Sequence, residues 1–178
     1  MIDIGVTGKS TLRLLAYQAV KAYPTSALLP LLEDTSSIVR TAAARELQMR
    51  GEEGVFAHGE VLLRSPKAPH REIAAFLLGQ LGTPQFPFKE RTVPLLERSL
   101  ATDPSDAVRE AAAAGLGHLN AEESIPILLK AAQDQNPGVR AAVASSLGRF
   151  RHDKRAASCL RKLRRDSDES VRFWASDD

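Results

Sequence analysis

The chain reads as an all-α protein, a right-handed α-α superhelix of about five stacked helical hairpins. Three observations lead there. A block of similar sequence recurs five times along the 178 residues. Within the blocks, apolar residues fall at helical spacing. The apolar share is 43% with only 5% aromatic, and much of it is alanine and leucine, the usage of closely packed helices.

The five blocks are DTSSIVRTAAARELQMRG from Asp34, SPKAPHREIAAFLLGQLG from Ser65, DPSDAVREAAAAGLGHLN from Asp103, DQNPGVRAAVASSLGRFR from Asp134 and DSDESVRFWASDD from Asp166. Their arginines, Arg40, Arg71, Arg109, Arg140 and Arg172, stand 31, 38, 31 and 32 residues apart. Six residues ahead of the arginine, four blocks carry an aspartate: Asp34, Asp103, Asp134 and Asp166. Each unit reads as two antiparallel helices. The first helices are expected over Ser26 to Glu33, Val55 to Arg64, Val93 to Leu100, Ser124 to Ala132 and Ala156 to Arg164. The second begin just before each arginine and run about four turns. In them Val39, Ala42, Ala43 and Leu47 form an i, i+3, i+4, i+8 stripe, repeated by Val108, Ala111, Ala112, Leu116 and by Val139, Ala142, Val143, Leu147. Such units bury their faces mainly on their neighbours, without one central core.

The pattern D-x-x-x-x-V-R-x-x-A-x-x-x-L-G resembles the HEAT repeat in its short bacterial form, over about residues 24 to 176. The resemblance implies a HEAT-repeat solenoid in which the repeated aspartates and arginines link successive repeats in a hydrogen-bonded ladder. It also implies that the second helices line the concave surface. The expected organisation is one domain, 1–178: an N-terminal cap helix in 1–23, repeats at 24–52, 53–84, 93–120, 121–151 and 152–178, and an inserted loop at 82–92. Phe86 and Phe88 argue that this loop is ordered, since both would otherwise be exposed. The last block stops about one turn into its second helix, where Trp174 replaces the alanines of other units. We read Trp174 as a lid on the final layer, with an incomplete C-terminus as the alternative.

The opening residues test a different reading. Gly5 to Thr11 (GVTGKST) look like a phosphate-binding loop, but Asp3 stands where the first glycine belongs, and only Met1 and Ile2 precede it. A helical array also offers no strand to carry such a loop. The stretch is expected to lead into a helix, with Ser10 or Thr11 as cap. His58, His70, His118 and His152 form no H-x-x-x-H pair, and Cys159 is the only cysteine, so no metal, cofactor or catalytic site is expected. Cys159 reads as a small buried hydrophobe. HEAT-like hydroxylases bind iron through repeated His-Glu dipeptides, which are absent here. No apolar run suits a membrane span and no secretory leader is seen. The expectation is a cytoplasmic, non-enzymatic protein with no small-molecule substrate.

The remaining signal lies in charge and in exposed positions. Residues 149 to 178 carry nine basic and six acidic side chains, and Arg149 to Arg165 hold eight basic residues against Asp153 alone. That segment suits a phosphate backbone or an acidic protein, or a solvated helix face. On the second helices, the stripe away from the core holds Arg45, Gln48, Glu72, Phe76, Gln80, Glu110, His118, Arg149 and Phe173, the candidate partner-binding residues. Phe76 aligns with Arg45, Ala114 and Ser145, so packing does not demand an aromatic there. It serves either as an interface anchor or as a support for Phe86 or Phe88.

A narrower likeness sits in VRTAAARELQMRGEEG (Val39 to Gly54) and HREIAAFLLGQLG (His70 to Gly82). These runs are similar to bacterial HEAT-repeat proteins encoded beside Rhs polymorphic toxins. The resemblance implies an immunity protein that binds and neutralises a cognate toxin domain. A scaffold or regulatory adaptor is the second reading, and nucleic-acid binding through the basic C-terminal helix the third.

Overall fold

An aspartate that accepts a hydrogen bond from the N–H two residues ahead closes a tight turn, and this chain uses that device between the two helices of four repeats. Ser36 donates to Asp34 at 2.7 Å, and Ser105, Asn136 and Asp168 donate to Asp103, Asp134 and Asp166 at 2.9 Å. Each turn ends one helix and starts the next. The computed structural model describes residues 8–176. Among them it contains eleven α-helices and no strand. In chain order these are α1 (Gly8–Val20), α2 (Thr25–Leu28), α3 (Ser37–Arg50), α4 (Glu53–Leu62), α5 (Ala68–Leu78), α6 (Lys89–Thr102), α7 (Asp106–His118), α8 (Ile125–Ala131), α9 (Pro137–Leu147), α10 (Lys154–Leu163) and α11 (Glu169–Ala175).

The odd-numbered helices form one layer, α1 against α3 and onward to α11, and the even-numbered helices form the other. This is the all-α solenoid expected from the repeats. Its apolar side chains gather in two clusters, one from Val20 to Leu81 and one from Ala75 to Ala175. Helix α5 serves both, Ala74 facing the first and Ala75 the second.

The arginines tie successive repeats together. Arg71 donates from Nε and Nη2 to the two carboxylate oxygens of Asp103, at 2.7 and 2.9 Å. Arg109 does the same to Asp134 at 2.8 and 3.0 Å, and Arg140 to Asp166 at 2.8 Å for both bonds. The third nitrogen, Nη1, bonds the carbonyl six residues upstream in all five repeats, at 2.7–3.0 Å. Every rung therefore fixes a turn in its own repeat and holds the turn of the next. Burial raises the Asp103 carboxyl, but the bonds from Arg71 and Ser105 outweigh it and the group titrates low. For Asp134 and Asp166 the arginine bond is itself the largest influence, and both are also held below the usual carboxylate range.

Close approach completes the stacking. A Cβ on Gly79 would stand 2.5 Å from the Cα of Gly115, so α5 and α7 touch backbone to backbone. Ser146 of α9 donates to the Ala113 carbonyl of α7 at 2.8 Å, above Gly117.

The expected helices differ from the observed ones in three places. The first unit's leading helix is α only over Thr25–Leu28 and continues as a 3-10 turn, Leu29–Glu33, because Pro30 supplies no N–H to an α-type ladder. The inserted loop is shorter than 82–92, since α6 already begins at Lys89. Arg91 explains this: its guanidinium lies 4.0 Å from the Phe56 ring centroid and pairs with Glu53 at 2.9 Å, binding α6 to α4. Phe88 packs on Phe56 at 5.1 Å between centroids, and Phe86 packs on the second cluster, so the loop is ordered as expected. At the other end Val171 and Ala175 are fully buried, whereas Trp174 is half exposed and stands edge-on to Phe173. Trp174 is thus not a lid sealed over the last layer. Of the opening motif, residues 5 to 7 lie outside the described residues, and Ser10 and Thr11 fall inside α1 instead of capping it.

Two outcomes follow from this packing. Asp134→Ala removes the bidentate bond from Arg109 and the turn bond from Asn136, and denaturant unfolding should show a loss of about 1.5–3 kcal/mol. Because the native carboxyls of Asp103, Asp134 and Asp166 titrate below their unfolded values, the unfolded chain binds more protons in acid. The rung contribution is therefore complete above about pH 5 and declines as pH falls below about 4, while the Asp134→Ala deficit narrows in parallel. Gly79→Ala should cost about 1–3 kcal/mol by forcing α5 from α7, read as a lowered unfolding midpoint.

Candidate partner-binding groove

The second helices turn their apolar stripe inward, so the residues on the other side of each helix face outward in register from one repeat to the next. Two neighbouring clefts open on that face. One, of about 490 Å³, is lined by Arg45, Gln48, Phe76, Gln80 and His118, with Tyr17 and Met49. The other, of about 310 Å³, is lined by Glu72, Phe76 and Glu110, with Thr41 and a floor of Ile73, Ala111, Ala114 and Ala142. Phe76 borders both. The Phe76 ring is half-buried: it packs against the first apolar cluster and also borders the groove.

The polar groups divide along the groove. Glu72 and Glu110 sit in the second turns of α5 and α7, and partial burial, then the nearby Glu72 and Asp106 charges, raise the Glu110 carboxyl. His118 lies at the other end of α7. Desolvation, then the Arg149 charge, lowers its pKa, which leaves the ring neutral at pH 7. Gln48 carries a buried side-chain oxygen with no hydrogen-bond partner. A donor arriving from outside would satisfy it, and an unmet buried acceptor costs about 1–3 kcal/mol. The groove thus offers an aromatic centre, an acidic edge, a basic and amide edge, and an open acceptor. These are features for gripping a surface.

Seven of the nine residues picked from the sequence line the two clefts. Arg149 is exposed just beyond, close enough to act on His118. Phe173 stands apart on α11, 69% exposed. Tyr17, Thr41 and Met49 were not singled out in the sequence. Tyr17 belongs to α1, whose repeat is too degenerate to align, and its ring also receives Lys21 at 4.7 Å. Cys159 is half-buried rather than fully enclosed, with burial pushing its thiol up. Among the described residues no group of three or more His, Cys, Asp or Glu side chains is placed to hold a metal ion. No described helix is long and apolar enough to cross a membrane.

The comparisons agree on architecture. The family model of HEAT repeats matches residues 93–177. No curated protein matches the chain. Among solved structures, the CpcE–CpcF complex of the phycocyanin lyase from Nostoc sp. PCC7120 is similar at 20% identity, over 85% of this chain and 95% of that one, with a TM-score of 0.69. A designed armadillo repeat protein in complex with the peptide (KR)4 is 18% identical over 93% and 87% of the two chains, TM-score 0.64. The Escherichia coli protein YibA is 20% identical over 98% and 75%, TM-score 0.60. At such identities the likeness is one of fold: a HEAT- and armadillo-like solenoid.

The electrostatics of the groove can be read directly. In a proton NMR titration His118 should show a midpoint below the ordinary value of about 6.5. Arg149→Glu should raise it by removing the opposing charge.

Proposed function

We propose that the chain is a non-catalytic protein-binding module that holds a partner protein across its second-helix face, and that this partner is a toxin domain which it neutralises. The observation that carries the binding role is Phe76, one half-buried aromatic shared by two adjacent clefts with opposite charge at their edges. Central aromatics ringed by polar groups are where interface energy concentrates. A standard interface of ~1,600 Å² would cover both clefts and their rims. Solenoids of this architecture hold peptides and protein subunits, as the designed armadillo protein and the CpcE–CpcF pair illustrate. The toxin as partner rests on the likeness of residues 39 to 82 to immunity proteins encoded beside Rhs toxins. Binding that covers or distorts the toxin's active site would suffice, with no chemistry supplied by this chain.

A regulatory adaptor would use the same surface for another protein. The nucleic-acid reading draws on α10, but part of that charge is already engaged. Arg155 is paired with Asp153 at 2.8 Å, and Arg151 and Arg164 donate to the carbonyls of Ser176 and Ala175. Lys154, Arg161, Lys162 and Arg165 remain exposed.

Capture from the native organism, with bound proteins identified by mass spectrometry, separates these readings. Recovery of one toxin domain supports immunity, whereas recovery of housekeeping proteins or nucleic acid rejects it. With the partner in hand, Phe76→Ala combined with Arg149→Glu should weaken binding by about 30-fold or more, measured at a temperature where circular dichroism shows the variant folded. Undiminished affinity in that variant would place the interface elsewhere.

A further inference from the structure

The Arg–Asp ladder has one internal gap, and its shape points to a ligand. Arg71, Arg109 and Arg140 each present Nε and Nη2 to a carboxylate in the turn between the two helices of the following repeat. For Arg40 the corresponding residue is Ser65. Each of the two residues is held in its own turn as its counterparts are. Arg40 is oriented by Nη1 bonds to the Asp34 and Thr35 carbonyls at 2.7 and 3.0 Å, as Arg140 is by Asp134 and Gln135 at 2.9 and 3.1 Å. Ser65 takes the turn position of the aspartates: its Oγ accepts the Lys67 N–H at 3.3 Å, and its carbonyl accepts Arg71 Nη1 at 2.9 Å. A serine side chain is shorter than an aspartate's and uncharged. The Nε and Nη2 edge of Arg40 has no partner among the described residues.

We propose that the slot between Arg40 and Ser65 is a site for a phosphate-class dianion, either free or carried on the Ser65 hydroxyl as a phosphomonoester. The planar Arg fork that binds a carboxylate through two parallel bonds binds phosphate in the same way. A phosphoryl group on Oγ extends the short serine toward the guanidinium and supplies three acceptor oxygens with a charge of about −1.5 to −2 at pH 7. His70 Nδ1 lies 3.3 Å from the Ser65 hydroxyl and 3.5 Å from Glu33. In the covalent case a protein kinase and a nucleoside triphosphate are the co-reactants. The Ser65 oxygen bonds the γ-phosphorus, the bridging P–O bond breaks, the hydroxyl proton passes to solvent and the nucleoside diphosphate leaves. The effect would fall on the groove. Helix α3 packs on α5 less extensively than α5 on α7, and the larger cleft takes Arg45 and Gln48 from α3 but Phe76 from α5 and Gln80 from the turn that follows it. Closing the rung would stiffen this junction and fix the two halves of that cleft.

Thermal unfolding tests the site in two arms: potassium phosphate against potassium chloride at matched ionic strength, and the chain made with phosphoserine at position 65. The expected rise is about 2–4 °C for a rung of this kind in a chain of this length. It should vanish in Arg40→Met and persist in Arg172→Met. Phosphate also stabilises proteins generally by exclusion from their surface, so only the Arg40-dependent part counts. Ser65→Asp, which supplies the missing carboxylate, should raise the midpoint and lose the specific phosphate response. That variant decides the matter if Arg40→Met does not fold. An Arg40-dependent response to inorganic phosphate identifies a free-anion site. A response confined to the phosphoserine chain identifies a modification site. Equal shifts in the parent, Arg40→Met and Ser65→Asp, with no gain from phosphoserine, overturn the proposal.

Discussion

The fork of an arginine closing on a carboxylate in the next repeat is the interaction on which the array depends. Helices of four to fourteen residues have little stability alone. What turns them into an ordered stack is that each turn is held from both sides. The aspartate fixes its own backbone, and the preceding arginine fixes the aspartate. These pairs are largely shielded, with side chains 9–19% exposed, and their hydrogen bonds are charge-assisted. The bonds from the arginines also help hold these carboxyls below the usual carboxylate range. Stacking then follows from small residues, whose lack of bulk lets backbones meet at Gly79 and Gly115.

This arrangement separates support from recognition. The rungs lie at the repeat turns, and the apolar stripe lies between layers. The outward positions of the second helices carry Arg45, Gln48, Glu72 and Glu110 around Phe76, whose ring also packs against the first apolar cluster. A groove built this way suits a protein surface better than a small ligand: it is open, long and edged by opposite charge.

The repeats were legible because the same physical unit recurs and each copy reinforces the same period. The turn aspartates and the alanine stripes could be named from spacing, whereas the ladder role of the arginines was implied by the resemblance to HEAT repeats. So could seven residues of the clefts, since an outward position on one helix stays outward when the helix is stacked. Contacts between repeats were harder. Nothing in KERT announces that Arg91 will stack on Phe56 and draw Lys89–Thr92 into α6. Pro30 was visible, but whether it would divide a helix depended on the neighbouring turn. Tyr17 entered the groove through the packing of α1 on α3, which its degenerate repeat conceals. Ser65 was plainly the exception to the aspartate pattern, yet its meaning appears only when the unpaired edge of Arg40 is set beside it.

The division of the interior at α5 bears on how the chain comes apart. Ala74 and Ala75 commit neighbouring faces of one helix to different apolar clusters, so neither cluster is complete without it. In a linear array each layer is stabilised by those beside it, and loss of order can start at either end and stop at a boundary. Fraying from the N-terminal side meets first the junction without an arginine rung, then α5 and the filled rungs behind it. The chain thus resembles a ratchet more than a single cooperative block. Partial opening would give up Arg45 and Gln48 from the groove while the layers from α5 onward kept their order, and a bound partner spanning the clefts would draw the loose end back into register.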